Sequence, residues 1–273
     1  MDAYLVSHNG LGDNLYMIGA LHFIKQFYKN VYFLCKQKYY DNVKLCFTQD
    51  SNIICAPFNE KNEIDNIKHI IMNKYSDTNT DIFICGPCIK QYFQSKINNE
   101  IFLNNTTNET SKYTIDFDTL TESNYSFIEM FYKDIGLNLT YFYEYFNIDS
   151  TDESIALFQS VKQYYLVFIQ YMSSDGKTLN ISNLIDKYLN DPNVLLICND
   201  KNLYNNSQEQ YVIAQRFVYN KIVNYIDVIK NSDEIYLIDS CFIGIVLPLL
   251  KTNKLKTDKV RIILRDDAKK YIL

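Results

Sequence analysis

At 273 residues and 47% hydrophobic content, the chain carries enough apolar material for one large domain or for two of about 100–150 residues. Its formal net charge of −5, with lysines dispersed among the acids, excludes nucleic acid as the main partner, because phosphate-backbone binding needs a concentrated basic stripe. No basic-then-apolar leader and no apolar run near the ~20 residues of a membrane span is present, so a cytoplasmic protein without a transmembrane segment is expected.

The first apolar run, Ala3-Tyr4-Leu5-Val6, reads as a buried strand. It runs into "SHNGLGD", a small polar loop that holds two of only seven glycines and ends on Asp13. Leu15, Ile18 and Leu21 continue at helical spacing, which predicts a helix from Asp13 to Tyr28. Strand-like runs recur at 31–35, 52–56 and 81–86, with helices expected at 39–47 and 64–74 between them. Strand and helix alternate, so this half should be a parallel sheet covered by helices. From about Ile97 to Asp149 the pattern weakens into Asn/Thr-rich loops and aromatic stretches such as "YFYEYF", with one helix in "YSFIEMFYKDIGL" stopping near Gly136.

Alternation resumes after the acidic, turn-like "DSTDES" at 149–154. Strands are expected at 164–171, 193–200, 234–240 and 260–264, with helices in "ISNLIDKYLN", "QEQYVIAQRF", "VNYIDVIKNS" and "FIGIVLPLL". The organisation is two α/β halves, 1–150 and 151–273. Ligands of such sheets bind beyond the carboxyl ends of the strands, and two halves of this sort are expected to face one another across a cleft.

Seven cysteines, several inside apolar runs, look like buried reduced thiols. Cys85 and Cys88 form a Cys-x-x-Cys pair, but without a second pair it reads better as a strand ending in a Gly-Pro turn than as a zinc or redox centre. The bias toward Asn, Lys, Ile and Tyr, with no Trp, gives individual asparagines little weight, including the sequons at Asn104, Asn105, Asn108, Asn138, Asn180 and Asn205.

Three strand ends carry chemistry-capable residues: the glycine loop, "SSDGKT" after Val167-Phe168-Ile169, and "IDSC" after Tyr236-Leu237. Gly10 and Gly12 would let the chain turn tightly and bring a ligand to main-chain amides at the start of the next helix. The loop is not a dinucleotide fingerprint, since its third glycine would fall on Leu15. Asp13 is either a helix-capping acid or a reactive carboxylate. Ser173, Ser174 and Lys177 form a polar turn able to meet phosphate, although Lys177 alone reads as an exposed turn lysine. A P-loop is excluded, because Tyr171 stands where its first glycine is needed. Asp116-Phe117-Asp118 has the spacing of an Asp-x-Asp metal site. Asn199-Asp200 and Val223–Ile226 occupy places where a nucleotide contact or plain packing is equally readable, and His8 sits beside the glycine loop.

"VSHNGLGDNLYMIGALHFIK" resembles the amino terminus of the bacterial lipopolysaccharide heptosyltransferases and related GT-B glycosyltransferases: a strand, a small polar loop, Gly-Asp, then a helix with a small residue and Ala-Leu. "LIDSCFIGIVLPLL" is similar to the family's Asp-[Ser/Thr]-Gly segment, with Cys241 in place of the glycine and Gly244 where a histidine is usual. The resemblance implies two Rossmann-like α/β domains, with 1–150 on the acceptor side and 151–273 binding the nucleotide sugar. It implies Asp13 as the general base for an acceptor hydroxyl. It implies a donor site that takes in Gly10, Gly12, Ser173, Ser174, Lys177, Asp239, Ser240 and Cys241. The expected activity is metal-independent, inverting sugar transfer from a nucleoside-diphosphate sugar to a carbohydrate or glycoconjugate acceptor, with no further cofactor. A non-catalytic sugar-nucleotide-binding protein and an unrelated nucleotide-using α/β enzyme are the rival expectations.

Overall fold

The computed structural model describes residues 1–7, 10–104, 122–204, 209–270 and 272–273. His8 and the Asp116-Phe117-Asp118 triplet lie outside the described residues. The chain divides into two compact units, the first ending at Asp149 and the second running from Ser150 to Leu273. Among the described residues no helix is long and apolar enough to cross a membrane.

The first unit runs β1 (Asp2–Val6), α1 (Leu11–Tyr16), α2 (Ile18–Ile24), β2 (Asn30–Lys36), α3 (Tyr40–Leu45), β3 (Ile53–Phe58), α4 (Glu63–Tyr75), β4 (Thr80–Ile84), α5 (Pro87–Lys90), α6 (Glu100–Asn104), α7 (Glu122–Asp134) and α8 (Thr140–Glu144). Its four strands pair in parallel in the order β3-β2-β1-β4. Because strand side chains alternate, Tyr4, Val6, Ile82 and Ile84 share one face and pack with Ile67 and Ile71 of α4. Aromatics fill much of the rest of the core. Phe83 meets Phe102 at 4.8 Å between ring centroids, and Phe23 stacks on Tyr141 at 4.3 Å. The stretch at 139–146 therefore holds a short core helix where the sequence showed only a weak pattern.

Two features fix how the segment after β1 lies. Gly19 has no room for a side chain, since a Cβ there would sit 2.3 Å from the Tyr141 carbonyl oxygen, so α8 rides directly on the α2 backbone. The single helix expected over Asp13–Tyr28 is in fact two, broken at Met17. In a continuous helix the Ala20 N–H would donate to the Tyr16 carbonyl. Here the Tyr132 hydroxyl stands between them, donating to the Tyr16 oxygen at 2.8 Å and accepting from the Ala20 N–H at 3.2 Å. An inserted side chain of this kind is a recognised cause of a kink.

The second unit runs α9 (Asp152–Val161), β5 (Tyr165–Gln170), α10 (Ser182–Tyr188), β6 (Val194–Cys198), α11 (Glu209–Ala214), α12 (Ile226–Asn231), β7 (Glu234–Ile238), α13 (Ile243–Lys251) and β8 (Val260–Ile263). Its strands are again parallel, in the order β6-β5-β7-β8. The "DSTDES" stretch is not a plain turn but the start of α9. Thr151 caps it, its hydroxyl accepting from the Ser154 N–H at 3.0 Å, and Asp152 and Glu153 complement the helix's positive end. Ser150 and Ser154 both donate to Asp227, which ties α9 to α12.

At the amino end of β7, Glu234 is 5% exposed and accepts from three tyrosine hydroxyls: Tyr165 at 2.9 Å, Tyr188 at 2.9 Å and Tyr236 at 2.8 Å. Burial alone would raise this carboxyl, but the three hydroxyls and the charge of Lys187 hold it below its ordinary value of 4.5. A carboxylate depressed on folding adds stability above its unfolded value, and that stability is lost as the pH falls through the folded one. Glu234→Gln is therefore expected to lower unfolding free energy at pH 7 by about 2–4 kcal/mol and to flatten its decline below about pH 4.5. Urea titrations of both proteins at pH 7 and in acid check this; parallel pH profiles would refute the assignment.

Candidate functional site

In an open parallel sheet, ligands bind outside the carboxyl ends of the strands where strand order reverses. In the first unit the reversal falls between β1 and β4, and in the second between β5 and β7. The glycine loop and Asp13 follow β1; "SSDGKT" follows β5 and "DSC" follows β7. The sequence-derived candidates thus follow the carboxyl ends of strands that flank the two reversals.

In the first unit Gly10 is the N-cap of α1, with φ −74° and ψ 158°, an ordinary extended conformation, and Gly12 lies within the first turn. Neither glycine takes the unusual backbone angles expected of it. Gly10 answers a different demand, because a Cβ there would come within 2.6 Å of Asp13 Oδ2. The Gly10 N–H donates to that same oxygen at 3.0 Å. Asp13 therefore makes one arm of a capping box, and Gly10, lacking a side chain, supplies no second arm. Beside it Asn14 is 1% exposed; its amide donates to the Gly10 carbonyl at 2.9 Å, and its Oδ1 has no hydrogen-bond partner among the described residues.

Across the reversal, Cys85 is buried and Gly86 adopts φ 94°, opening α5 with Pro87 in its first turn. The Gly86 N–H donates to the Asp134 carboxylate at 3.0 Å. Burial pushes the Cys85 thiol well above its ordinary value. The Cys-x-x-Cys pair is a turn of free thiols, and among the described residues no group of three or more His, Cys, Asp or Glu is placed to hold a metal ion.

In the second unit "SSDGK" is a tight hairpin, closed by a bridge between Met172 and Thr178, so the expected polar turn folds back on itself. The Ser173 N–H donates to the Lys177 carbonyl at 2.9 Å, and Gly176 takes φ 82° at the tip. The Ser173 hydroxyl turns inward and donates to the Asp175 carboxylate, which it holds below its ordinary range. Ser174 is exposed. Lys177 is exposed too, and its ammonium meets Asp266 at 2.6 Å and Asp175 at 4.0 Å.

The hairpin reaches the β7 end through Arg265, just past β8, a residue that sequence reasoning missed. Its Nε donates to the Asp239 carbonyl at 2.9 Å and lies 3.6 Å from Asp239 Oδ2, while Nη1 is 3.9 Å from Asp175 Oδ2. Burial pushes the Asp239 carboxyl up; Arg265 opposes this, and Asp175 and Asp266 add to it. Ser240 is 7% exposed and its hydroxyl has no hydrogen-bond partner among the described residues. Burial raises the Cys241 thiol to about 12, which favours its protonated form at neutral pH. Together Ser173, Lys177, Asp239, Arg265 and the start of α13 form one connected cluster.

The remaining candidates are tied into packing. Asn199 accepts from the Tyr225 hydroxyl at 2.8 Å, and the side chains of Val223 to Ile226 are buried. Asp200 is 4% exposed, and its N–H donates to the Cys198 sulfur at 3.3 Å.

No protein-family model matches this sequence, and no curated protein matches it. A solved structure does: "The crystal structure of the glycosyl transferase family 9 from Veillonella parvula DSM 2008" superposes with a TM-score of 0.52 at 10% identity, covering 99% of this chain and 90% of that one. At such identity the likeness is one of fold. The chain has the α/β architecture with two parallel sheets of a glycosyltransferase-type neighbour.

Proposed function

We propose that the chain is a GT-B-like glycosyltransferase that moves a sugar from a nucleoside-diphosphate sugar to an acceptor hydroxyl, with inversion and without a metal ion. The observation that supports it most is the cluster of Asp239, Ser240 and Arg265 at the strand-order reversal of a fold shared with a glycosyl transferase family 9 structure. In this reading Asp13 takes the proton of the acceptor hydroxyl as its oxygen bonds to the anomeric carbon. The bond from that carbon to the nucleoside diphosphate breaks, and the departing phosphate carries away the electron pair. The second unit's hydroxyls, helix start and guanidinium stabilise the charge that develops there. The acceptor is a carbohydrate or glycoconjugate.

A thermal-shift screen against UDP, GDP, ADP, CMP and dTDP, their sugar conjugates, ATP and S-adenosylmethionine tests the class, run with and without magnesium. A ligand at 100 times its dissociation constant adds ~2.7 kcal/mol, a rise of several degrees. The expected response is to one nucleoside diphosphate and its sugar conjugate without magnesium. Silence across all of them, or a response confined to ATP or S-adenosylmethionine, would reject it.

A second reading has a specific observation in its favour. The Asp13 carboxylate already accepts the Gly10 N–H, which suits a protein that binds a sugar nucleotide without transferring the sugar. Binding accompanied by neither transfer nor slow donor hydrolysis would select it.

A further inference from the structure

We propose that Asn14 is a positioning residue for the candidate base: by holding the Gly10 carbonyl it keeps Asp13 seated on the Gly10 N–H. This rests on the transfer reading above, in which Asp13 takes the acceptor proton, and adds to it a residue outside the motif that pointed to Asp13.

Gly10 is gripped through both of its main-chain polar groups. Its N–H donates to Asp13 Oδ2 at 3.0 Å. Its carbonyl accepts twice from Asn14, from the main-chain N–H at 3.1 Å and from the side-chain amide at 2.9 Å. The partner fixes the direction of that amide, because the reversed one would set two oxygens face to face. The main-chain bond is the first rung of α1, which almost any residue at position 14 makes. The side-chain bond belongs to Asn14. Asp13 and Asn14 thus hold opposite sides of one glycine. If Gly10 shifts about its carbonyl, its N–H moves too, and the carboxylate loses a contact that sets its direction.

Packing does not account for an asparagine at this point. Asn14 is 1% exposed, and its Oδ1 has no hydrogen-bond partner among the described residues. An unmet buried acceptor costs stability, whereas Leu has the same branching and no polar atom. The residues that follow, Leu15, Tyr16, Met17 and Ile18, are all buried. A side chain that costs stability in such surroundings is accounted for by what its amide holds.

The test uses Asn14→Leu and Asn14→Ser in the full chain, with Asn14→Leu also built on Asp13→Asn. Ser is the rescuing variant, since its hydroxyl donates to the carbonyl four residues back. Turnover is read as nucleoside diphosphate released from UDP-glucose, GDP-mannose, ADP-glucose and dTDP-glucose with methyl glucoside as acceptor, beside thermal melts and amide exchange at Gly10. Asn14→Leu is expected to melt no lower than the parent, to lose about three- to tenfold in kcat, and to keep donor KM within about twofold. Asn14→Ser should recover most of that loss. On Asp13→Asn the Leu substitution should cost nothing more, because its effect runs through the carboxylate. Gly10 exchange should quicken in Asn14→Leu and slow again in Asn14→Ser. Unchanged kcat and exchange in Asn14→Leu overturns the proposal and leaves Asn14 to the compositional bias toward Asn. So does a loss that adds in full to that of Asp13→Asn, or a lowered melting temperature that Ser does not restore. If the parent releases no diphosphate, the failure lies with the transfer reading, and Gly10 exchange alone decides whether Asn14 holds the loop.

Discussion

Asp13→Asn is expected to lower turnover by about 10²–10⁴-fold while leaving the melting temperature within about 2 °C of the parent. Turnover and melting temperature separate a catalytic role for this side chain from its capping role. As a cap, Asp13 needs only an oxygen that accepts the Gly10 N–H, and the amide oxygen of Asn provides one at the same place. As a base it needs a carboxylate that takes a proton, and an amide does not. Asp13→Ala removes both, and should add a destabilisation of ~1 kcal/mol to the loss of turnover. Steady-state transfer assays with thermal melts of the three proteins give the answer. Near-normal turnover in Asp13→Asn would leave Asp13 a helix cap and would favour the binding-only reading.

Gly10 acts together with Asp13. Its value to the loop is the space it leaves, not the backbone angles it permits. The carboxylate of Asp13 fills the volume that a Cβ at position 10 would take, so Gly10 and Asp13 act as a pair three residues apart. That spacing was visible in the sequence; the reason for it was not, because the contact depends on the direction of one side chain.

The eight strands among the described residues were legible as apolar runs, since a buried parallel strand has little to display except Val, Ile, Leu, Phe and Cys. What local pattern concealed was decided by distant partners or by single hydroxyls. α9 begins inside "DSTDES" because Thr151 caps it, and the acids that suggested a turn are its first-turn residues. Ser173 was read as facing a phosphate, yet its hydroxyl closes its own hairpin. Arg265 went unread because it follows the last strand with no motif around it. Only the pairing of β7 with β8, which sets Ile238 beside Ile263, carries it to the Asp239 peptide. The candidate site was therefore readable as a set of strand ends carrying Asp13, Lys177 and Asp239, whereas Arg265 and the pairing of these charges were not.

The break at Met17 is the clearest case of long-range control, and it yields the second large prediction. Tyr132 lies 112 residues from Ala20 and 116 from Tyr16, so no window of sequence around the first helix reveals it. Its ring is fully buried, and burial pushes the phenol far above its ordinary value, which keeps the hydroxyl protonated and able to donate and accept together. Tyr132→Phe keeps the ring but strands the Tyr16 carbonyl and the Ala20 N–H, and is expected to cost about 2–4 kcal/mol, measured by urea unfolding. The alternative outcome is informative in its own right. If Tyr132→Phe is near neutral, the two backbone groups have bonded directly and α1 has joined α2 in one straight helix. That would swing α1, and Asp13 with it, away from its present direction. Amide exchange at Ala20 separates the cases: fast exchange marks a stranded N–H, slow exchange a healed helix. A stable Tyr132→Phe protein in which Ala20 exchanges rapidly would show that the hydroxyl bridge carries no weight, and the kink would need another cause.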